Sequence, residues 1–456
     1  MSLSRSGAWT LVGFFILAVG ILIRVSNAFW YPINLGFDAP ENWRYIHRLM
    51  HIWSLPAPGE DWSTSHPPLF YYLGAALGKL TGSHSADPVA IAVRLTSSAI
   101  GLIPVGLAYW LVRRVAPEDG WRAWLAAALL LFLPVQIYMS AMLSEEIIAS
   151  ALISIVIVGT CFEWMRASPT PRPGFGWRAL GLGVAGGLAI LTKLSGVLVL
   201  AAAAGTALLA GLRGQQLRKA VTWSALLIAT AMVVGGWYYA RNWANWGYLY
   251  PQDLQVHEIM FSMPPGERTA VDYVQVPLST WTDPQLVNPD LLHSVWGGTY
   301  VTWWFDGHRH FLARESPSVT AAGTLILLLA LLPTLAFGIG VVRGVRRAVS
   351  QTFGPDVPLL LLCAITLAGY ITFTWGNPWF AAVKASYLLG LSVPFAYYTS
   401  EVLADWTREN GLRSRLACGT LATLLIAILV VFTYGPIYWN WAGRGIEWTP
   451  TAMEAP

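Results

Sequence analysis

The sequence predicts an all-α polytopic membrane protein with about eleven membrane-spanning helices and further helices lying along one membrane face. Three observations carry that expectation. The chain of 456 residues is 55% hydrophobic and only 11% charged, where soluble domains carry about 25% charged residues. Apolar runs long enough to cross a bilayer recur along the chain, and mean hydropathy is +0.52. The basic residues gather in alternate short loops. This composition excludes a soluble multidomain protein, and the net charge of +4 gives no reason to invoke nucleic acid. Cys161, Cys363 and Cys418 lie inside apolar runs and read as small buried hydrophobes, with no disulfide or metal spacing. No internal repeat divides the chain, so residues 1–456 form one membrane domain.

The apolar runs lie near residues 8–28, 89–112, 121–141, 146–164, 178–193, 196–212, 220–240, 319–342, 357–374, 385–403 and 415–435. The first could be a signal peptide, since Ser26-Asn27-Ala28 offers cleavage-like spacing. It is long enough to span and carries Arg24 near its far end, and is read as a retained helix. A further run, 67–81, is short and opens with Pro67-Pro68, as interfacial or re-entrant helices do.

Loop charge fixes the expected orientation. With a cytoplasmic N-terminus and a non-crossing 67–81, Arg5, Arg113, Arg114, Arg122, Arg166, Arg172, Arg178, Arg213, Arg218, Lys219, Arg343, Arg346, Arg347, Arg408, Arg413 and Arg415 all fall inside. A crossing 67–81 would put every later cluster outside. The chosen arrangement makes all eight histidines external, including His84, and leaves two long outer loops, 29–88 and 241–318. The first is the expected catalytic loop with juxtamembrane helices. The second is rich in Trp, Tyr, Pro and Gly and reads as irregular chain with short helices, its aromatics suiting an interfacial belt or a sugar-stacking surface.

Chemistry is expected where charges crowd this outer face. Asp38 and Glu41 follow the first span at i, i+3 spacing, and a sheltered carboxylate there can accept a proton from an incoming nucleophile. Phe37-Asp38-Ala39-Pro40-Glu41 also has the form of a helix N-terminus, so Asp38 can be read as a cap. Glu145 and Glu146 sit in the tight turn before the fourth span. Capping explains one of them, and the pair calls for a cation, a proton or a substrate contact. Arg94, Lys193, Arg241 and Lys384 lie at outer span ends, where they either snorkel to headgroups or converge on a phosphate. His66 reads as a loop residue or another phosphate contact. Glu60 and Asp61 read as ordinary solvated charges. In Asp306-Gly307-His308-Arg309-His310 the paired histidines could bind metal, though spacing supplies no third ligand.

The order of these segments resembles a known family. GFDAPENWRYI, HPPLFYYLGAALGKLTG, AVRLTSSAIGLIPVGLAYWLVRR, PVQIYMSAMLSEEIIASAL and GLAILTKLSGVLVL follow one another over residues 8–250. This is similar to the GT-C superfamily of integral-membrane glycosyltransferases, in the branch of protein O-mannosyltransferases and lipid A aminoarabinose transferases. ARNWANWGYLYP and VKASYLLGLSVPFAYY extend the similarity. The resemblance implies a GT-C-like fold in a bacterial or archaeal cell membrane. It implies inverting transfer of a sugar from a polyprenyl-phosphate donor to an acceptor hydroxyl of a protein, glycan or lipid, on the outer face. On that likeness Asp38 is the base and Glu146, with Glu145, the second acidic motif. Glu41, His66, Lys193, Arg241, Lys384 and Tyr387 contact substrate. Lys384 stands in for an arginine preceding Tyr-Leu-Leu, and Gly390 stands where a proline is common. The second acid after Asp38 is spread over Glu41-Asn42, which leaves the need for a divalent cation open.

The rival from another class is a transporter or flippase for lipid-linked or small polar substrates. That activity calls for ionisable, helix-breaking residues at mid-membrane in corresponding halves. Here the charges sit at span ends and the halves do not correspond.

Overall fold

The computed structural model describes residues 5–33, 35–83, 85–165, 175–251, 254–312, 317–350, 353–408 and 411–441. His84, Arg166 and Arg172 lie outside the described residues. The described chain is helical: α1 (Arg5–Trp30), α2 (Ala39–His51), α3 (Leu69–Thr81), α4 (Ala86–Ile100), α5 (Leu102–Val115), α6 (Gly120–Leu131), α7 (Pro134–Ala141), α8 (Glu146–Trp164), α9 (Phe175–Thr192), α10 (Gly196–Arg213), α11 (Leu217–Ala231) and α12 (Trp237–Trp246). After an irregular stretch come α13 (Val295–Trp304), α14 (Pro317–Ser350), α15 (Asp356–Gly376), α16 (Ser392–Arg408) and α17 (Leu412–Trp441).

Among the described residues, nine helical segments are long and apolar enough to cross a membrane, and the bent pair α6–α7 makes ten. The apolar helix over 176–192 falls short of that length. Against the expected eleven, the described residues hold nine candidate spans, one bent helix pair and one short apolar helix. The protein is an integral membrane protein.

The 45° break between α6 and α7 has a local cause. Pro134 opens α7 and cannot donate to the preceding turn, so carbonyls at the end of α6 lose their helical partners. In hydrocarbon such groups need internal donors. Buried Arg24 of α1 supplies them, donating to Leu131 (2.8 Å), Leu130 (3.3 Å) and Gly20 (3.0 Å). Close packing elsewhere rests on small residues. At Gly340 of α14 a Cβ would lie 2.4 Å from the Tyr398 carbonyl oxygen of α16, so only glycine lets the two helices meet.

The two ends of the bundle differ in what they hold. At one end Arg347 pairs with Asp356 and Glu401. Arg343 there pairs with Asp405, Arg122 with Glu401, and Arg408 with Asp119. These are loops that the basic-residue pattern assigns to one side. The other end gathers Asp38, His66, Glu145, Lys193 and Lys384. The short helix α3, which falls within the 67–81 run, packs along α2 and α4.

The aromatic loop departs from the expected surface belt. Trp304 of α13 is buried, its indole donating to Thr334 (2.9 Å), and Trp303 and Trp304 both pack on Phe395. Trp243 remains exposed. Cys161 and Cys363 are buried, whereas Cys418 is exposed on the outside of α17. An apolar run buries only one face of its helix in protein, and Cys418 lies on the other.

Candidate functional site

The site begins where the chain leaves α1. Arg94 of α4 is buried and donates to the carbonyls of Tyr31 (2.7 Å) and Pro32 (3.1 Å). It is therefore a clamp on the α1–α2 connection. Two residues with positive φ follow, Gly36 (124°) and Asp38 (52°). A non-glycine residue in the left-handed region is strained and has to be held there by its surroundings.

Asp38 occupies the N-cap position of α2, yet its side chain makes no capping bond. Asp38 Oδ1 instead accepts the indole N–H of Trp62 at 3.0 Å. Trp62 is fixed in turn by Asp61. The Asp61 carboxylate accepts the Trp62 backbone N–H (2.7 Å), Thr64 Oγ1 accepts the Asp61 N–H (3.0 Å), and Arg44 grips both Asp61 oxygens (2.9 and 3.1 Å). Asp61 is thus a structural cap for the turn over Trp62–Ser65, and Glu60 pairs with Arg48. Neither is the plain solvated charge that composition suggests. Trp62 itself was not singled out by sequence. The Asp-x-x-Thr capping pattern ahead of it was the available signal.

Glu41 sits one helical turn on from Asp38, paired with Arg44 at 3.5 Å. Burial pushes its carboxyl up, and the charge on Asp38 adds to the effect.

The second acidic motif is legible as one unit with Lys193. Glu145 and Glu146 are both buried at the start of α8, and Lys193, from the α9–α10 junction, lies between them. It bonds to Glu145 Oε1 (3.3 Å) and to Glu146 Oε1, and Glu146 also accepts from Ser386 Oγ (3.2 Å). Two adjacent buried carboxylates would repel, and the shared ammonium resolves this. Glu145 holds the N-cap position of α8 without a side-chain capping bond, and Ser144 Oγ accepts the Glu146 N–H at 3.4 Å.

Tyr387 connects this unit to a second cation. Lys193 Nζ stands 4.6 Å and Lys384 Nζ 4.9 Å from its ring centroid. Lys384 also lies 4.3 Å from the Phe37 ring, next to Asp38. Lys384 is only 8% exposed. Among the described residues it has no carboxylate partner, unlike Lys193. Below Glu146, Ser386 and Tyr387 a narrow crevice continues between α8, α10 and α15, lined by Ile153, Leu198, Val199 and Leu362.

Arg241 turns away toward the first loop. Its guanidinium donates to the carbonyls of Leu55 (3.3 Å) and Pro56 (2.8 Å) and lies over Trp246. Tyr250, one of the aromatic residues of the second outer loop, faces Lys193, Tyr387, Glu145 and Asp38, and burial pushes its hydroxyl up to about 12.

The histidine pair after Asp306 serves packing. Asp306 accepts the N–H groups of Phe311 and Leu312 (2.7 and 2.8 Å). His308 Nε2 is 3.2 Å from the Val383 carbonyl, and burial holds its imidazole well below the usual histidine range. A neutral ring donating there fixes the backbone next to Lys384. His308 and His310 both pack edge-on against Phe37. Among the described residues no three His, Cys, Asp or Glu side chains are grouped to hold a metal ion.

The family model for dolichyl-phosphate-mannose-protein mannosyltransferase matches residues 65–239, which include His66, Glu145, Glu146 and Lys193. No curated protein sequence matches significantly. Among solved structures the fold is similar to ArnT from Cupriavidus metallidurans bound to undecaprenyl phosphate. The TM-score is 0.53 at 13% identity, over 95% of this chain and 78% of that one. It is also similar to the archaeal oligosaccharyltransferase AglB from Archaeoglobus fulgidus in complex with an inhibitory peptide and a dolichol-phosphate. There the TM-score is 0.52 at 13% identity, over 93% of this chain and 56% of that one. The apo form of the same archaeal protein gives 0.51 at 14% identity. The chain spans a little over half the length of the archaeal protein. In fold, and in the order of its motifs, the chain fits the GT-C superfamily of membrane glycosyltransferases.

Proposed function

We propose that the protein transfers a hexosyl or pentosyl group from a polyprenyl-phosphate-linked donor to an acceptor hydroxyl on the outer side of the membrane, with inversion. Asp38 is the general base. It takes the acceptor's proton as the acceptor oxygen bonds to the anomeric carbon. The bond from that carbon to the phosphate oxygen breaks, and its electron pair leaves on the polyprenyl phosphate. Lys384 neutralises the leaving phosphate, with Tyr387 holding its ammonium in place and Lys193 and His66 beside it. Glu145 and Glu146 position Lys193. Arg241 acts through the Leu55–Pro56 loop it holds. Glu41 shapes the acceptor side of Asp38.

One observation carries this reading: the Asp38 carboxylate, which makes no capping bond, and the buried Lys384 ammonium, which has no carboxylate partner among the described residues, both lie near His66, and Lys384 stands over the ring of Phe37, the residue before Asp38. An anionic ligand at Lys384 would meet a nucleophile activated at Asp38. The similar structures named above hold undecaprenyl phosphate in one case and a dolichol-phosphate in the other. The outer-face assignment is supported by the basic loops gathered at the opposite end.

Mass spectrometry of lipid that copurifies with the protein tests the donor class, and its sugar identifies the donor. Asp38→Asn should abolish transfer from that lipid while leaving its binding intact. A fully active Asp38→Asn protein would exclude the base assignment.

A further inference from the structure

His66 is held by a hydrogen-bond chain whose polarity is set from its far end. Asn42 Nδ2 donates to the Leu143 carbonyl at 2.7 Å. Asn42 Oδ1 is thereby turned toward Ser63 Oγ (2.7 Å) and Tyr71 OH (2.8 Å), and it can only accept from them. A phenol has one proton, and Tyr71 directs it to Asn42. The Tyr71 oxygen must then accept at its other contact, 2.9 Å from His66 Nδ1. Nδ1 therefore carries the ring proton, and in a neutral imidazole Nε2 is left as a bare lone pair. No hydrogen bond to Nε2 exists among the described residues.

The surroundings of the ring come from every neighbouring element. Glu145 faces it from the turn before α8, Asp38 from the head of α2, Lys193 from the α9–α10 junction and Lys384 from the segment before α16. Tyr71 of α3 takes Nδ1, and Tyr238 of α12 donates to the carbonyls of Ser65 and His66, 3.1 Å to each. Burial outweighs the two carboxylates and holds the imidazole below the usual histidine range, so the resting ring is neutral at pH 7.

A phosphate group offers oxygen acceptors, and this face of the neutral histidine offers a nitrogen acceptor, so the two need a proton between them. Lysine at the same position would donate without further change. We propose that a polyprenyl phosphate binds beside His66 together with one proton, which Nε2 takes from solvent, so that lipid-phosphate affinity is proton-linked. This rests on the donor class given under Proposed function. The Lys384 ammonium, with no carboxylate partner among the described residues, calls for an anion as the ligand at this place. The Asn42–Tyr71 chain keeps Nδ1 occupied, so that the added proton enters at the ligand-facing nitrogen.

The test is undecaprenyl phosphate binding to the purified full chain in detergent, from about pH 8 down to about pH 6. A one-proton linkage strengthens binding by up to about tenfold per pH unit as pH falls. The ligand's own ionisation near pH 6 is common to all variants and cancels on comparison with His66→Lys, which is charged throughout. The wild type is expected to have the steeper slope, His66→Gln to bind weakly with no excess slope, and Tyr71→Phe to lose part of it. In Tyr71→Phe the ring is free to place its single proton on Nε2. Calorimetry in buffers of different ionisation enthalpy should register close to one extra proton taken up by the wild type. Parallel slopes for wild type and His66→Lys would overturn the proposal. So would wild-type binding that weakens relative to His66→Lys as pH falls, which would assign a hydroxyl to Nε2. No binding by any of these proteins at any pH would remove the donor class as well, and is distinct from parallel slopes.

Discussion

The indole N–H of Trp62 lies 3.0 Å from Asp38 Oδ1, so the carboxylate at the head of α2 is oriented by a residue twenty-four positions later in the same loop. That contact fixes one oxygen and leaves the other for a ligand. It also links the two outer loops, because His257 of the second loop packs edge-on against Trp62, with Nε2 3.0 Å from its carbonyl. Backbone strain at Asp38 and the indole contact belong to one arrangement: the left-handed φ aims the side chain at Trp62 instead of at the α2 N-terminus.

Trp62→Phe keeps most of the packing and removes the donor. A hydrogen bond to a charged group is worth about 1.5–3 kcal/mol, so on the proposed role of Asp38 turnover should fall roughly tenfold to a hundredfold. The Michaelis constant for the donor lipid should hardly move, since Trp62 touches the base and not the phosphate. Steady-state kinetics with a defined lipid-linked sugar gives both constants. Unchanged turnover would mean that the indole does not orient the base.

Lys193 is the shared counter-ion of Glu145 and Glu146, and this dictates an order among substitutions. Lys193→Met strands two buried carboxylates and should lower stability by about 3–5 kcal/mol. Adding Glu145→Gln to that variant should restore part of the loss, a non-additivity expected for residues in one network. Glu146→Gln should reduce activity more than Glu145→Gln, because Glu146 also holds Ser386 of the segment bearing Lys384 and Tyr387. Thermal unfolding in detergent and transfer assays on the same preparations check both statements. Equal tolerance of the two glutamine variants would contradict the assignment.

Much of this was legible in the sequence, for reasons that can be named. Run length and apolar composition mark the all-helical membrane fold, because hydrocarbon imposes length and polarity rules on every segment. Glu145, Glu146, Lys193 and His66 stand out as polar residues beside apolar runs. Their pairing did not, since Lys193 meets the glutamates across forty-seven and forty-eight residues of chain. Arg94 and Arg241 illustrate the opposite limit. Sequence marks each as a cation at a span end, and only the folded chain has both guanidiniums bound to carbonyls of the first outer loop. The role of Trp62 is not legible in the sequence, because tryptophan is common in this chain and that role depends on a single N–H.

Lys384 separates charge from packing. Its ammonium rests on Phe37 and Tyr387 rings, with no carboxylate partner among the described residues. Lys384→Met keeps the stem and removes the charge, so folding should be little changed. Lipid-phosphate affinity should fall roughly tenfold to a hundredfold, the worth of one charge-assisted hydrogen bond. Lys384→Arg should retain most of the affinity, since arginine also binds phosphate and stacks on aromatic rings. Binding of undecaprenyl phosphate to the three proteins measures this. Equal affinity for wild type and Lys384→Met would move the phosphate elsewhere.

The opposite end of the bundle supplies a control that separates stability from function. Arg347 of α14 donates to both oxygens of Asp356 (2.9 and 2.8 Å) and both of Glu401 (2.7 and 3.0 Å), tying α14, α15 and α16 together. Asp356 has no other cation within ion-pair distance among the described residues, whereas Glu401 keeps Arg122 and Arg343. Arg347→Leu therefore leaves Asp356 as the uncompensated charge, and stability should drop by about 3–5 kcal/mol. Asp356→Asn in the same background should recover much of that loss, and Glu401→Gln much less. Transfer per folded molecule should stay at the wild-type level in all of these, because none of the three side chains lies at the Asp38 end. A midpoint shift in thermal unfolding without a change in specific activity is the expected signature. An equal rescue by Glu401→Gln would mean that the arginine's principal partner is Glu401.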